Sequence, residues 1–375
     1  MNIIMTRAAG LERLADTLPG LGRDYAALRN TDRGPGRRAT TSVLSPYLRR
    51  RLLLEREVVA AAQDAHGEGA SKFVEEVFWR SYFKGHLETR PGIWADYERQ
   101  VADGRAQLAA NSGLRRAFED AVSGRTGIDG FDDWAQELVA QNWLHNHVRM
   151  WFASIWVFTL RLPWALGADH FMQHLLDGDP ASNTLSWRWV AGLHTRGKTY
   201  AARAENIRRY TDGRFSPQGL DEDPVALEEP EPAAATKLPA PGEPPGGEVA
   251  LLLHGDDLYP ESLALGRSRV VRIAGLVAHA DSAAGPVRAA DDAAMADALD
   301  RAARHFGCPA ALVSPGWDDG LPVVAAWAPV GPSAAALPPC TTVRRDWDSL
   351  IWPKSSRGYF QVKSIIPHVL TSTAA

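Results

Sequence analysis

Polar side chains alternate with tryptophans between Trp143 and Trp189, and this part of the sequence is the best suited to chemistry. It contains WLHNHVRM (143–150), Trp164 and DGDPASNTLSWRW (177–189). A buried polar group left unpaired costs about 1–3 kcal/mol, so several of them among large aromatic rings need a polar partner. A flat ring system rich in heteroatoms would be such a partner. Within this stretch, Asn146 and Arg149 are three residues apart and so share one face of a helix.

Two further motifs each allow a structural and a functional interpretation. TTSVLSPYL (40–48) has hydroxyl residues at 40, 41, 42 and 45 and a proline at the expected first turn of a helix. This pattern is typical of a helix cap, but the same exposed N–H groups and hydroxyls can hold a phosphate. EEVFWRSYF (75–83) is either an amphipathic helix with an incidental Glu–Arg pair or a helix whose arginine binds a phosphate.

Taken together, these motifs resemble the flavin-binding domain of the DNA photolyase and cryptochrome family. The family signature contains WMHN, a following R-M, and a DGD-x-x-x-N-x-x-x-W block, and the resemblance covers about residues 20–215. It implies FAD as the cofactor. The cofactor-binding residues that it implies are Tyr25, Thr41, Ser42, Leu44, Ser45, Arg80, Asn146, Arg149, Asp177, Asp179 and Asn183.

The resemblance also implies a role for each group. The hydroxyl motif would grip the FAD pyrophosphate, although Val43 stands where the family usually has arginine, and Arg80 would reach a phosphate. An ion pair between Arg149 and Asp177 is expected beside the flavin. Asn183 would face flavin N5, and a neutral acceptor there is compatible with the fully reduced cofactor.

The implied catalytic residues are Trp187, Trp164, Asn183 and Glu76, and the two tryptophans match members of a light-driven electron-transfer chain. The third, surface tryptophan of that chain is not evident, because its expected neighbourhood (107–118) contains none. Either the chain is incomplete or another tryptophan substitutes, and the candidates are Trp94, Trp151 and Trp156.

Four residues match the surroundings of the family's lesion pocket: Glu76, Trp79, Met150 and Trp189. Trp79 could stack on an extruded pyrimidine pair, which is worth about 1–3 kcal/mol per base. The resemblance therefore implies an enzyme of the deoxyribodipyrimidine photo-lyase type, which transfers an electron from reduced flavin to a pyrimidine dimer in damaged DNA, including single-stranded DNA. The alternatives are a cryptochrome-like blue-light photoreceptor without repair and a light-independent flavin oxidoreductase.

Composition and charge limit the partners and the compartment that we expect for this protein. The net charge of −4 combines a slightly basic first part, to residue 216, with an acidic remainder, a balance that permits DNA contact without requiring it. Two cysteines make no disulfide framework, so we expect a cytoplasmic protein. No Cys/His/carboxylate spacing indicates a metal, no segment is typical of a membrane helix, and we expect a monomer.

Periodicity predicts an α + α/β protein. Helical spacing, as in YLRRRLLLEREVVAAAQDA (47–65), predicts an all-helical FAD-binding domain over 1–216, and a stretch rich in Pro, Glu and Ala predicts a disordered linker over 217–248. Strand-like runs that alternate with a helix predict a small Rossmann-like α/β domain with a mainly parallel sheet over 249–345. The aromatic tail, 346–375, is expected to pack on the helical domain.

Overall fold

The contacts of the chain divide it into two compact units. The computed structural model describes residues 3–38, 41–279 and 282–372, so Thr40 of the hydroxyl motif, Ala280 at the end of a predicted strand and tail residues 373–375 lie outside the described residues. The helical unit contains Asp24–Thr41 and Gly92–Ala233, and the sheet unit contains Ile3–Arg23, Ser42–Pro91 and Ala234–Ala375.

The secondary structure is predominantly helical before residue 217 and mixed after residue 246. The described α-helices are, in chain order, α1 (Arg7–Thr17), α2 (Arg23–Leu28), α3 (Ser45–Arg49), α4 (Glu55–His66), α5 (Ser71–Thr89), α6 (Gly92–Ala110), α7 (Ser112–Val122), α8 (Phe131–Gln141), α9 (Asn146–Ser154), α10 (Trp164–His174), α11 (Pro180–Val190), α12 (Ala204–Tyr210), α13 (Gly285–Phe306), α14 (Pro332–Ala336), α15 (Asp346–Ile351) and α16 (Tyr359–Ser372). The strands are β1 (Gly247–His254), β2 (Ser268–Leu276), β3 (Ala310–Leu312), β4 (Val323–Ala326) and β5 (Thr341–Val343).

The helical unit is held together by an aromatic core. Helix α8 illustrates how the sequence builds it, because Phe131, Trp134 and Leu138 recur at helical spacing and are all buried. The helix ends where Asn142 adopts the left-handed conformation, with φ of 53°. After α9 the chain makes one π-helical turn, Ile155–Thr159, and then α10 packs against α6 and α11.

The sheet is entirely parallel, with strand order β3-β2-β1-β4-β5. This order is that of the first five strands of the doubly wound dinucleotide-binding fold, and helix α13 forms the crossover from β2 to β3. The α + α/β fold class is thereby confirmed. Strand β5 was not predicted, because its residues, Thr341–Val343, form no apolar run.

The helix predicted over 47–65 is wrong in its middle. Helix α3 ends at Arg49 and α4 begins at Glu55, since Arg51 has a positive φ of 50° and cannot continue a helix. The guanidinium of Arg51 is fully buried and donates to Asp348 at 2.7 Å.

The arginines that follow α3 lie next to the carboxyl end of β1. In open parallel sheets a ligand usually binds where the strand order reverses, which here is between β1 and β4. In this sheet, Asp257 accepts two hydrogen bonds from Arg345, at 2.6 and 2.7 Å, and lies 3.4 Å from Arg51. Burial alone would raise the pKa of Asp257, but Arg345 and Arg51 outweigh it and lower the pKa to about 2. Charged side chains of the protein therefore occupy this end of the strands.

The segment 217–248 and the tail both make specific contacts. In the helical unit, the N–H of Leu227 donates to Ala191 O at 3.0 Å; in the sheet unit, the N–H of Thr236 donates to Thr89 O at 2.8 Å. Tail helix α16 packs against α5. The boundaries at 216, 249 and 346 remain predictions.

Candidate functional site

The hydroxyl motif forms a sharp turn that leads into α3. Ser45 is the first residue of that helix, and Pro46 lies in its first turn, as the spacing predicted. Val43 has a positive φ of 54°, which is costly for a β-branched residue, and Leu44 after it is right-handed. Alternation of left- and right-handed residues turns successive N–H groups to one side and creates an anion-binding concavity. Thr41 and Ser42 directly precede this turn in the chain, and Ser42 is partly buried.

Arg13 brings a positive charge to this turn, and sequence reasoning missed it. Its Nε donates to the carbonyl oxygen of Ser42 at 2.7 Å. A cation beside the motif favours an anionic ligand, and it lies next to the position where Val43 replaces the usual arginine. The sequence gives no signal for this contact because the two residues are 29 positions apart.

Helix α5 presents the predicted Glu76, Trp79 and Arg80 together. Residues three and four apart share one helix face, and all three side chains are partly buried. Tyr359 of α16 stacks on the Trp79 ring, with centroids 3.7 Å apart and planes 8° from parallel. The Tyr359 hydroxyl also donates to the carbonyl oxygen of Glu75 at 2.9 Å. One face of the proposed lesion-reading ring is therefore covered by the tail.

In the helical unit, the predicted ion pair between Arg149 and Asp177 is confirmed. One terminal nitrogen of Arg149 donates to both carboxylate oxygens of Asp177, at 3.0 and 2.9 Å, and Nε donates to Leu144 O. Helix α9 carries both predicted residues, Asn146 at its exposed first position and Arg149 one turn later. The Asp177 carboxylate is buried, so the pair is fixed in place.

Asn183 is buried in the first turns of α11. Asp179 caps this helix by accepting from Ser182 N at 2.7 Å. The Asn183 amide nitrogen donates to Ala168 O at 2.8 Å, which leaves the amide oxygen as its acceptor atom. The role of Asn183 at the flavin remains a prediction.

Trp187 and Trp164 are brought into one aromatic core. A β-carbon placed on Gly167 would overlap Cη2 of Trp187, so the indole packs directly on the α10 backbone. Gly167 is one turn after Trp164 in the same helix, and both tryptophans are buried. Only glycine at 167 leaves room for this close packing.

The aromatic row continues outward from Trp164. The Trp164 and Tyr97 rings are 6.0 Å apart, and the Tyr97 and Trp94 rings are 4.9 Å apart. Tyr97 is buried, whereas Trp94 is partly exposed. Trp156 also contacts Trp187, at 6.2 Å, but both Trp156 and Trp151 are fully buried.

The remaining predicted residues lie at less enclosed positions. Met150 follows Arg149 on α9 and Tyr25 lies on α2, and both are partly buried. Trp189 is partly buried on α11 and packs at 5.5 Å from Tyr200.

The residues present fit FAD. In the sheet unit, the turn at Val43 and Leu44, with Arg13 beside it, suits a phosphate. In the helical unit, the neutral Asn183 suits a flavin ring. In addition, the Ser182 hydroxyl oxygen is buried without a hydrogen-bond partner among the described residues. A polar ligand would remove the cost of about 1–3 kcal/mol that such a group carries.

Comparison with known proteins gives a consistent assignment. Residues 73–219 match the model of the FAD binding domain of DNA photolyase. The deoxyribodipyrimidine photo-lyase of Streptomyces griseus is 34% identical over 185 residues, or 45% of this chain and 38% of that protein. A deoxyribodipyrimidine photo-lyase of Thermus thermophilus is 36% identical over 159 residues, or 42% of this chain and 37% of that protein. The matched part is thus an FAD-binding domain of the photolyase type. The matched part, residues 73–219, therefore belongs to the photolyase/cryptochrome family.

Solved structures with partial similarity include a class III photolyase from Agrobacterium tumefaciens and a cryptochrome from Synechocystis. Their TM-scores are 0.47 and 0.45, each with 25% identity over 55% of this chain and 43% of the other. The chain spans less than half the length of these proteins and of the photo-lyases above.

Over 3–38, 41–279 and 282–372, no group of three or more His, Cys, Asp or Glu side chains could hold a metal ion. Within the same residues, the helices are too short or too polar to cross a bilayer.

Proposed function

We propose that the chain is a photolyase-type enzyme that binds FAD and repairs a pyrimidine dimer in DNA by light-driven electron transfer. The main support is that Trp187 and Trp164 share one aromatic core, from which a row of rings leads to the partly exposed Trp94. Such rings can carry electrons inward to a flavin. When bound, reduced FAD would supply the electron that opens the dimer. Damaged DNA as partner and a cytoplasmic location, which the free Cys308 and Cys340 favour, belong to this proposal.

The protein groups have separate proposed tasks. Ser42, Ser45 and Arg80 bind the phosphates of the cofactor, while Arg149, fixed by Asp177, orients the ring end. Asn183 offers its amide oxygen to the flavin and stays neutral when an electron arrives. The negative charge of the reduced ring is thus not opposed by a carboxylate at this position.

The deciding experiment is anaerobic illumination of the reduced protein with an oligonucleotide that contains a pyrimidine dimer, followed by product analysis. Restored pyrimidines in the light, and none in the dark, would support repair. Intact dimers, with FAD present and photoreduced, would contradict it.

A second candidate, a blue-light photoreceptor without repair, is favoured by one observation. The stack of Tyr359 on Trp79 covers one face of the ring that a lesion reader would use. In that case, illumination should change the environment of α16 without changing the DNA. Limited proteolysis of the tail in light and darkness would measure it.

Replacing Arg80 by alanine should weaken FAD retention, because an arginine is a fixed set of donors that suits a diphosphate. A lost charged hydrogen bond costs about 1.5–3 kcal/mol, so the Kd for FAD should rise about tenfold or more. The measurement is flavin content after gel filtration, with Arg116→Ala, an exposed arginine of α7, as the control. Stoichiometric flavin in Arg80→Ala would remove Arg80 from the phosphate site.

Trp94 is the expected outer member of the electron path, because it is the partly exposed end of the row that runs from Trp164 through Tyr97. Trp94→Phe should slow steady photoreduction by external thiols and shorten the lifetime of the separated charge after a flash. Trp156→Phe, which removes a fully buried ring, should have the smaller effect. The reverse order of effects would assign the exit to Trp156.

A further inference from the structure

Glu229 holds the indole N–H of Trp164, and it does so from a segment that was predicted to be a disordered linker. Its Oε1 accepts a hydrogen bond from Trp164 Nε1 at 2.9 Å, and its Oε2 accepts from Arg188 Nη1 at 2.5 Å. The Trp164 and Arg188 side chains are buried, and that of Glu229 is 17% exposed. Residue 229 lies beyond the part that matches the photolyase FAD-binding domain, which ends at 219.

The carboxylate is fixed by the surrounding backbone. Leu227 N donates to Ala191 O at 3.0 Å, and Arg196 donates to the carbonyl oxygen of Glu229 at 2.9 Å. Beside these contacts, a β-carbon on Gly192 would meet that of Ala226 at 2.6 Å, so the segment packs closely on the chain after α11. Three contacts therefore hold Glu229 in position next to Trp164.

The charges around Trp164 favour its oxidised form. An indole that has lost an electron is a cation, which a hydrogen-bonded carboxylate stabilises. The Arg188 guanidinium opposes this, but its carbon is 5.6 Å from the Trp164 ring centre. Because the interaction between charges falls with distance and is strong where water is scarce, the nearer carboxylate dominates. The Trp187 ring, by contrast, contacts the rings of Phe152, Trp156 and Phe171.

We propose that Glu229 is a positioning residue that makes Trp164 easier to oxidise than Trp187 and so drives positive charge outward. This inference rests on the proposed function. When Trp187 has lost an electron, Trp164 supplies one to it and becomes the cation. The N–H proton stays on Trp164, hydrogen-bonded to Oε1 of Glu229. An external thiol finally returns the electron through the outer rings.

The test uses Glu229→Gln, which retains an oxygen acceptor and removes the charge. Flash absorption of the FAD-loaded protein should show a lower yield and a shorter lifetime of the Trp164 radical cation, each by about fivefold if ~1 kcal/mol of stabilisation is lost. Glu228→Gln is the matched control, because Glu228 is the exposed neighbour. In the dark, the indole ¹⁵N–¹H resonance of Trp164, assigned by its loss in Trp164→Phe, should shift upfield in Glu229→Gln alone.

Arg188→Gln provides a test of opposite sign. It removes the opposing cation while Glu229 remains, so the yield and lifetime should rise rather than fall. The double variant, Glu229→Gln with Arg188→Gln, removes both charges together. It therefore provides the test if Glu229→Gln alone fails to fold. Its yield of the Trp164 radical cation should be lower than that of Arg188→Gln. A role in packing alone would lower both single variants.

Two outcomes would overturn the proposal, and they are distinguishable. If the parent protein photoreduces FAD and Glu229→Gln gives the same radical yield and lifetime, Glu229 does not tune Trp164. If the parent itself gives no indole radical, the proposed function fails with it.

Discussion

Replacing Trp187 by phenylalanine should remove most of the blue-light reduction of FAD. Trp187 packs on Gly167, one turn from Trp164, and is the proposed first donor. A benzene ring is far harder to oxidise than indole, and each ~1.4 kcal/mol added to a barrier slows a reaction about tenfold. We therefore expect less than about a tenth of the parent rate. The measurement is the loss of oxidised-flavin absorbance under blue light with a thiol present.

Trp134→Phe is the control for Trp187→Phe. Trp134 is also buried in the helical unit, but it stacks on Trp151 at 5.5 Å rather than on the proposed path. Its replacement should leave the rate near that of the parent. If Trp187→Phe photoreduces at the parent rate, a different donor feeds the flavin and the proposed path is wrong.

Trp79→Ala should weaken binding to dimer-containing DNA and leave binding to undamaged DNA nearly unchanged. Stacking of a base on an aromatic ring is worth about 1–3 kcal/mol, so the Kd should rise roughly fivefold to a hundredfold. A dimer is poorly stacked already and costs less to extrude than intact bases. The comparison must be made at one salt concentration, since phosphate contacts change affinity steeply with ionic strength.

Tyr359→Ala tests whether the tail competes with the lesion for Trp79. The Tyr359 ring covers one face of Trp79, and an aromatic pair contributes about 0.5–1.5 kcal/mol. If the tail and the lesion compete for Trp79, Tyr359→Ala should tighten lesion binding by about twofold to tenfold. Tyr210→Ala, in the helical unit, is a control for the loss of a tyrosine. If Trp79→Ala weakens binding to damaged and undamaged DNA equally, Trp79 does not recognise the lesion.

Local spacing explains which parts of the structure could be predicted. Helix α8, the first turn of α3 and the shared face of Asn146 and Arg149 depend on residues within two turns of one another. The ion pair between Arg149 and Asp177 was predicted only because the family resemblance joined two separate motifs. The parallel sheet followed from the alternation of strands with a helix, but β5 contains no apolar run that would predict a strand.

Contacts between distant parts of the chain could not be predicted. Glu229 lies in a stretch whose composition is typical of disorder, yet a buried indole N–H and a buried arginine hold it in place. Arg13 reaches the hydroxyl motif across 29 positions, and Tyr359 reaches Trp79 from the far end of the chain. Composition and periodicity are properties of neighbouring residues and carry no information on such pairs.

The three consecutive arginines at the end of α3 affect which fragments of this protein we expect to fold. Arg49, Arg50 and Arg51 pair with acids that occur far later in the chain: Asp256, Asp291, and Asp257 together with Asp348. Arg51 also pairs with the neighbouring Glu55. A fragment that stopped at residue 219, where the family match ends, would keep the arginines and lose the four later acids. These adjacent like charges would then repel one another more strongly, next to the turn at Val43 and Leu44. The limits of the family match are therefore not the limits of a piece that folds, and fragments for expression should extend through α15.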